Sequence, residues 1–225
     1  MKFVVLRHQD EEGLGTVSQW LKRNHHSYFY VNLYGGQRLP SRALVAYDGL
    51  IAMGGPQSVN DTSDLMCESL NAVDAFLSAN RPTLGICLGA QAMAKVSGGA
   101  VSASTFEFGF STVRPVLSHR YFSHFANQSD WDVFQWHGEN FSLPLMAEPL
   151  FFGDAVVNQA FTLKRGLGLQ FHCELDAVWY SMWYDSVRHK FPELTPVMQP
   201  LSSAMPFDRL KQNLFQLLDQ WQREW

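Results

Sequence analysis

The chain predicts an α/β fold: an open, mostly parallel sheet with helices on both faces and a small antiparallel section. Three observations carry this. Apolar runs at 3–6, 50–53 and 83–86 have the length and continuity of strands buried on both sides. Between them, apolar residues recur at helical spacing, and strands alternating with helices of this length build a parallel sheet. From 112 to 158 the alternation loosens into short strand candidates separated by turn residues, as in a meander.

The first strand, 3–6, runs into a polar loop rich in Asp, Glu and Gly, after which Leu14, Val17 and Leu21 fall at helical spacing. Residues 29–33 begin a second strand, and 50–53 form a third that ends in Gly54-Gly55-Pro56. Capping residues at 61–64 precede a helix whose buried face is Leu65, Leu70, Val73, Phe76 and Leu77. Strand 83–86 passes through Cys87 into a helix over 88–97, rich in good helix formers and ended by Gly98-Gly99. Strand candidates at 113–116, 133–136 and 155–158 follow, then 167–171, which runs into His172-Cys173-Glu174. Helical aromatics over 178–187, a proline-bearing loop and an amphipathic helix complete the chain. The stripe of that last helix, Leu210, Leu214, Leu217, Leu218, Trp221 and Trp225, is core packing. No repeat or linker interrupts the pattern, so residues 1–225 are expected to form a single domain.

With 225 residues, 46% of them hydrophobic, the chain can bury a sizeable core. Its net charge of −4, without any basic run, advertises neither nucleic acid nor an anionic membrane as a partner. No stretch approaches transmembrane length, and the N-terminal apolar run is too short for a signal peptide. Three cysteines are an odd number, and a free thiol at Cys87 suits a reducing compartment, so a cytoplasmic location is expected.

Cys87 lies between Gly85 and Gly89 at a strand-to-helix switch. This is the nucleophile-elbow pattern with sulfur at its centre: small flanking residues let strand and helix close on a strained turn. The sulfur then precedes a helix N-terminus, whose partial positive charge favours an anion there, and the Leu88 amide can face a developing oxyanion. A free cysteine is more often a small buried hydrophobe, but the glycines and the switch favour a nucleophile.

A cysteine nucleophile calls for a histidine and an orienting acid. His25, His26, His119 and His124 sit in polar contexts and are expected to be solvated. No His/Cys spacing suits zinc, so no metal and no other cofactor is expected. His137-Gly138-Glu139 and His172-Cys173-Glu174 each carry an acid two residues on, which in extended chain shares a face with the histidine. Gly138 suggests a turn that would separate the first pair. His172 follows an apolar strand and belongs at the same sheet edge as Cys87, so His172 and Glu174 are preferred as base and orienter.

The segments Met-Gly-Gly-Pro (53–56), Gly-Ile-Cys-Leu-Gly-Ala-Gln (85–91) and Gln-Phe-His-Cys-Glu (170–174) resemble the class I glutamine amidotransferases. Glu-Phe-Gly-Phe (107–110) and Gln-Trp-His-Gly-Glu (135–139) are similar to stand-alone members that look like the glutaminase domain of GMP synthase. The resemblance covers about residues 1–175 and implies a flavodoxin-like sheet. It also implies roles: Cys87 as nucleophile, His172 as base and Glu174 as its orienter, with Gly55 and Leu88 amides as the oxyanion hole. Gln91 would contact bound glutamine, with Phe108, Gly109, Phe110, Trp136 and His137 lining the pocket. The family's usual proline between histidine and glutamate is Cys173 here, which removes a stiffening element but no catalytic group. No synthase segment is recognisable, so any ammonia acceptor would belong to a separate synthase subunit, or there is none. Other readings are a γ-glutamyl peptide or γ-glutamyl-amine hydrolase using the same thioester, a non-catalytic binding module, and a subunit silent until a synthase docks.

Overall fold

The computed structural model describes residues 1–40, 42–124, 129–202 and 205–225. The expectation for the side chain of His124 lies outside what is described. The apolar N-terminal run forms β1 (Lys2–Arg7), flanked by two parallel partners, β2 (Ser27–Asn32) and β3 (Gly49–Ala52). β4 (Thr83–Ile86) pairs parallel with β3, and β9 (Gly166–Leu169) pairs parallel with β4. The sheet then turns antiparallel through β8 (Asn158–Leu163), β7 (Glu148–Phe152) and β5 (Val101–Pro115), with β6 (Trp131–Phe141) at the far edge. The order is β2-β1-β3-β4-β9-β8-β7-β5-β6, and its parallel part is the flavodoxin-like arrangement.

Strand alternation divides the core into two layers. Phe3, Val5, Ile51, Ile86 and Leu169 face one side, which is covered by α1 (Thr16–Arg23) and α6 (Phe207–Gln222). Val4, Leu6, Leu50 and Ala52 face the other, under α3 (Asp64–Ser78) and α4 (Leu88–Val96). A single turn, α2 (Ala43–Ala46), precedes β3. A third cluster joins Phe134 to Leu175, Tyr180, Trp183 and Val187, most of them on α5 (Ala177–Lys190).

The structure corrects several expectations. The antiparallel section starts at Val101, and its β5–β6 ribbon is much longer than the short pieces read from 113–116 and 133–136. Most of β5 is exposed, so backbone pairing rather than a buried face holds it, and no apolar alternation betrays it. Residues 155–157 precede β8 instead of forming a strand. Gly138 makes no turn: it lies within β6, where the Phe106 ring covers it. His119 is buried and bonds Thr162 Oγ1 at 3.0 Å, and His26 packs against the rings of Phe3, Trp20 and Trp225. On α3, Met66, Ser69 and Ala72 join the buried face, while Leu65 and Leu70 are only partly buried.

Candidate active site

The elbow forms as its residues dictate. Cys87 holds φ 50° and ψ −107°, a left-handed conformation that costs a non-glycine residue about 1–3 kcal/mol. Its amide donates to Leu169 O at 2.7 Å, which ties the turn to β9. A Cβ on Gly85 would stand 2.5 Å from the Gly89 carbonyl, and one on Gly89 2.0 Å from Ala52 O. Both obstacles are backbone, so strand and helix approach this closely only with glycine at both places. Leu88 opens α4, so its amide is among the donors a helix N-terminus leaves without an intrahelical acceptor.

His172 stands just past β9. Its backbone exchanges two hydrogen bonds with Phe134 of β6, at 2.8 and 3.1 Å, and its ring meets Trp183 edge to face at 4.9 Å. Nδ1 lies 2.7 Å from Glu174 Oε1, while the Cys87 thiol donates to Trp136 O at 3.8 Å. Burial alone would lower the basicity of this imidazole. The Glu174 charge, with the Cys87 side chain and the Glu174 hydrogen bond adding to it, outweighs it and holds His172 well above the ordinary histidine range. Glu174 is itself anchored, because its carbonyl accepts from Thr16 N at 2.8 Å and from Thr16 Oγ1 at 3.2 Å. Cys173 is buried between the pair, and burial pushes its thiol well above the usual range. Pairing with Phe134 supplies the stiffness that a proline at 173 would otherwise give.

Cys87 opens into a cavity of about 660 Å³, where Gly55, Gln91, Trp136 and His137 also stand. Gln91 Nε2 donates to Glu139 O at 3.0 Å and to Gln170 Oε1 at 3.3 Å. His137 Nε2 lies 3.1 Å from Gln135 Oε1 and 3.2 Å from Glu107 Oε2. Phe108, Gly109 and Phe110, expected along the pocket, stand apart from the cavity lining. Phe108 and Phe110 pack edge to face on Phe134, and a Gly109 Cβ would meet Val197. From this strand Phe106 reaches the cavity instead, and from the other side Ser186, Lys190 and Phe191 close it. Among the described residues no cluster of His, Cys, Asp or Glu is arranged to hold a metal ion.

Sequence reasoning passed over three neighbours. Gln170, in the same strand-end motif as His172, donates Nε2 to Cys87 Sγ at 3.7 Å. His8 is buried with Nε2 2.8 Å from Ser69 Oγ, and burial pushes it down to about 4. Glu12 lines the cavity from the loop after β1. Applied to β1 as it was to Cys87 and Gly54, the sheet-edge rule would have found both His8 and Glu12.

A profile described as glutamine amidotransferase class-I matches residues 17–177. GMP synthase from Tolumonas auensis is 32% identical over 141 residues, which is 57% of this chain but only a quarter of the synthase's length. The glutamine amidotransferase-like protein YfeJ of Salmonella typhimurium is 28% identical over 61% of this chain and 59% of its own. The crystal structure of a glutamine amidotransferase from Thermotoga maritima superposes with a TM-score of 0.87 at 27% identity, covering 98% of this chain and 97% of that one. With the family's profile matched over most of its length on the fold it requires, the chain belongs to the class I glutamine amidotransferases.

Proposed function

We propose that the chain hydrolyses the side-chain amide of glutamine through Cys87, His172 and Glu174. The observation that carries this is the set itself: a strained elbow cysteine whose side chain acts electrostatically on an imidazole, the Nδ1 of which is held 2.7 Å from a buried carboxylate. In acylation His172 takes the Cys87 thiol proton, the sulfur attacks the γ-carbonyl carbon, and the Gly55 and Leu88 amides receive the oxyanion. One such donor is worth about 3 kcal/mol. His172 then gives its proton to the departing nitrogen as the C–N bond breaks, releasing ammonia and leaving a γ-glutamyl thioester. Water attacks that thioester, His172 takes its proton, and glutamate leaves with the thiol restored.

A second reading keeps this chemistry and enlarges the leaving group to a γ-glutamyl amine or peptide. The cavity favours it, because about 660 Å³ walled by Phe106, Trp136 and Phe191 is in the range of pockets that hold drug-sized ligands. A separate synthase subunit as ammonia acceptor and a reducing cytoplasm, suited to three free thiols, complete the proposal.

The test is product release from glutamine and from a series of γ-glutamyl amines, with Cys87→Ala as blank. Turnover of wild type on at least one of these, falling to background in Cys87→Ala and Cys87→Ser, is expected. Near-normal release by either variant overturns the assignment. Stoichiometric labelling of Cys87 by an electrophilic glutamine analogue separates an enzyme from a binding module.

A further inference from the structure

Glu12 occupies a place the mechanism above does not use. The loop after β1 carries it to the carboxyl edge of the sheet, beside the ends of β3 and β9. Gln9 Nε2 donates to its Oε1 at 2.7 Å, whereas Oε2, shut away from solvent, finds no hydrogen-bond partner among the described residues. Gly54 shows where Oε2 lies. A Cβ built there would fall 1.8 Å from Glu12 Oε2 and 3.2 Å from His172 Cε1, so carboxylate and imidazole border the same small space.

We propose that Glu12 is a positioning residue for His172, a second carboxyl on the ring beside Glu174 that stabilises the imidazolium when ionised and releases it when protonated. This rests on His172 being the group that carries the proton. Cε1 lies between the two ring nitrogens, and its C–H is a weak donor that strengthens when the ring is charged. An ionised Glu12 therefore favours the imidazolium. The surrounding charges oppose its ionisation. Burial is the largest influence and raises Glu12 to about 7, with Glu174 and Glu11 adding to it and His172 opposing. Other groups around it do not supply the missing charge. Lys190 on α5 is paired with Glu11 at 2.7 Å, Arg7 binds the Glu12 carbonyl, and His8 is held neutral by burial. Glu12 would thus change charge near neutrality, against the ring that must give and take a proton in each cycle.

The experiment is NMR of protein labelled with ¹³C at histidine Cε1, titrated across neutrality, with His172→Gln identifying the signal. In wild type the His172 Cε1–H resonance is expected to pass an inflection near pH 7. Glu12→Gln, which keeps the acceptor for Gln9, should lose it, and Glu12→Asp should restore it at a displaced pH. Gly54→Ala, whose Cβ displaces Oε2, should lose it as well. A second readout is the pH profile of Cys87 alkylation by iodoacetamide in a Cys67→Ser background, where the same inflection should vanish in Glu12→Gln. Superimposable titrations of wild type and Glu12→Gln would overturn the proposal, as would a wild-type resonance without the inflection. Neither readout needs turnover, so a wild type inert to glutamine and to every γ-glutamyl amine tried would defeat the hydrolase proposal and leave this one standing.

Discussion

Burial moves Glu12 from an ordinary 4.5 up to about 7 and His8 from 6.5 down to about 4, and the two act on stability with opposite signs. Between pH 4.5 and 7 the folded state holds the Glu12 proton more firmly than the unfolded chain, so stability declines as pH rises through that window. His8 is the reverse: the unfolded chain binds its proton more readily between 4 and 6.5, so stability increases with pH there. Taking Glu12→Gln minus wild type cancels the His8 contribution. That difference in unfolding free energy should grow in favour of the variant from pH 4.5 upward, reaching about 3 kcal/mol above its low-pH value once pH exceeds 7. Urea midpoints measured at intervals of pH check this, and a pH-independent difference would contradict it. A buried carboxyl that lowers stability at neutral pH, standing beside the histidine we propose as acid and base, fits the pattern in which local cost is tolerated at a working site.

Two of the contacts between elements at the site each predict a distinct failure. The elbow needs β4 and α4 in near-backbone contact, so Gly89→Ala must push α4 off Ala52 of β3. Overpacking of this kind typically costs about 1–3 kcal/mol, and with backbone as the obstacle Gly89→Ala should fall at the upper end, read as a lowered denaturant midpoint. Alkylation of Cys87 should slow in the same variant, because the turn that presents the sulfur is displaced. The other contact is α5 on the β1–α1 loop: Trp183 Nε1 donates to Glu11 O at 2.7 Å while its ring buttresses His172. Trp183→Phe keeps a ring there and should cost about 1–3 kcal/mol for the carbonyl left unpaired. Trp183→Ala should cost about 3–5 kcal/mol and reduce turnover more than the phenylalanine variant does, since only the alanine frees the imidazole. Thermal melts together with kcat on the best substrate separate the two.

Across the whole molecule, the layers that make the sheet stable lie away from the edge that carries the chemistry. Leu214 is fully buried where α6 covers the face opposite α3 and α4. Leu214→Ala should lose about 2–5 kcal/mol while leaving kcat unchanged below the melting temperature. A parallel loss of kcat at low temperature would mean that α6 reaches the site. The site assembles because successive parallel strands end at one edge. The β1 loop brings His8 and Glu12, the end of β3 brings Gly54 and Gly55, that of β4 brings Cys87, and that of β9 brings His172.

The sequence by itself determined the parallel strands, the elbow turn at Cys87 and the place of His172 just past a buried strand, since each rests on local pattern: a continuous apolar run, a glycine on either side, a histidine leaving that run; the turn expected at Gly138, one ground for setting His137 aside, did not form. It also showed the α6 stripe, because a 3.6-residue period survives without knowledge of partners. Tertiary structure alone decided the extent of the β5–β6 ribbon, whose exposed residues carry no apolar alternation, and the continuity of β6 through Gly138, whose missing side chain is covered by Phe106. It alone buried His119 and replaced Phe108–Phe110 with Phe106 at the cavity. Only the folded chain set Glu12 against His172. Their closeness comes from two strands ending together, 160 positions apart in the chain, and no local pattern encodes a distance across a sheet edge.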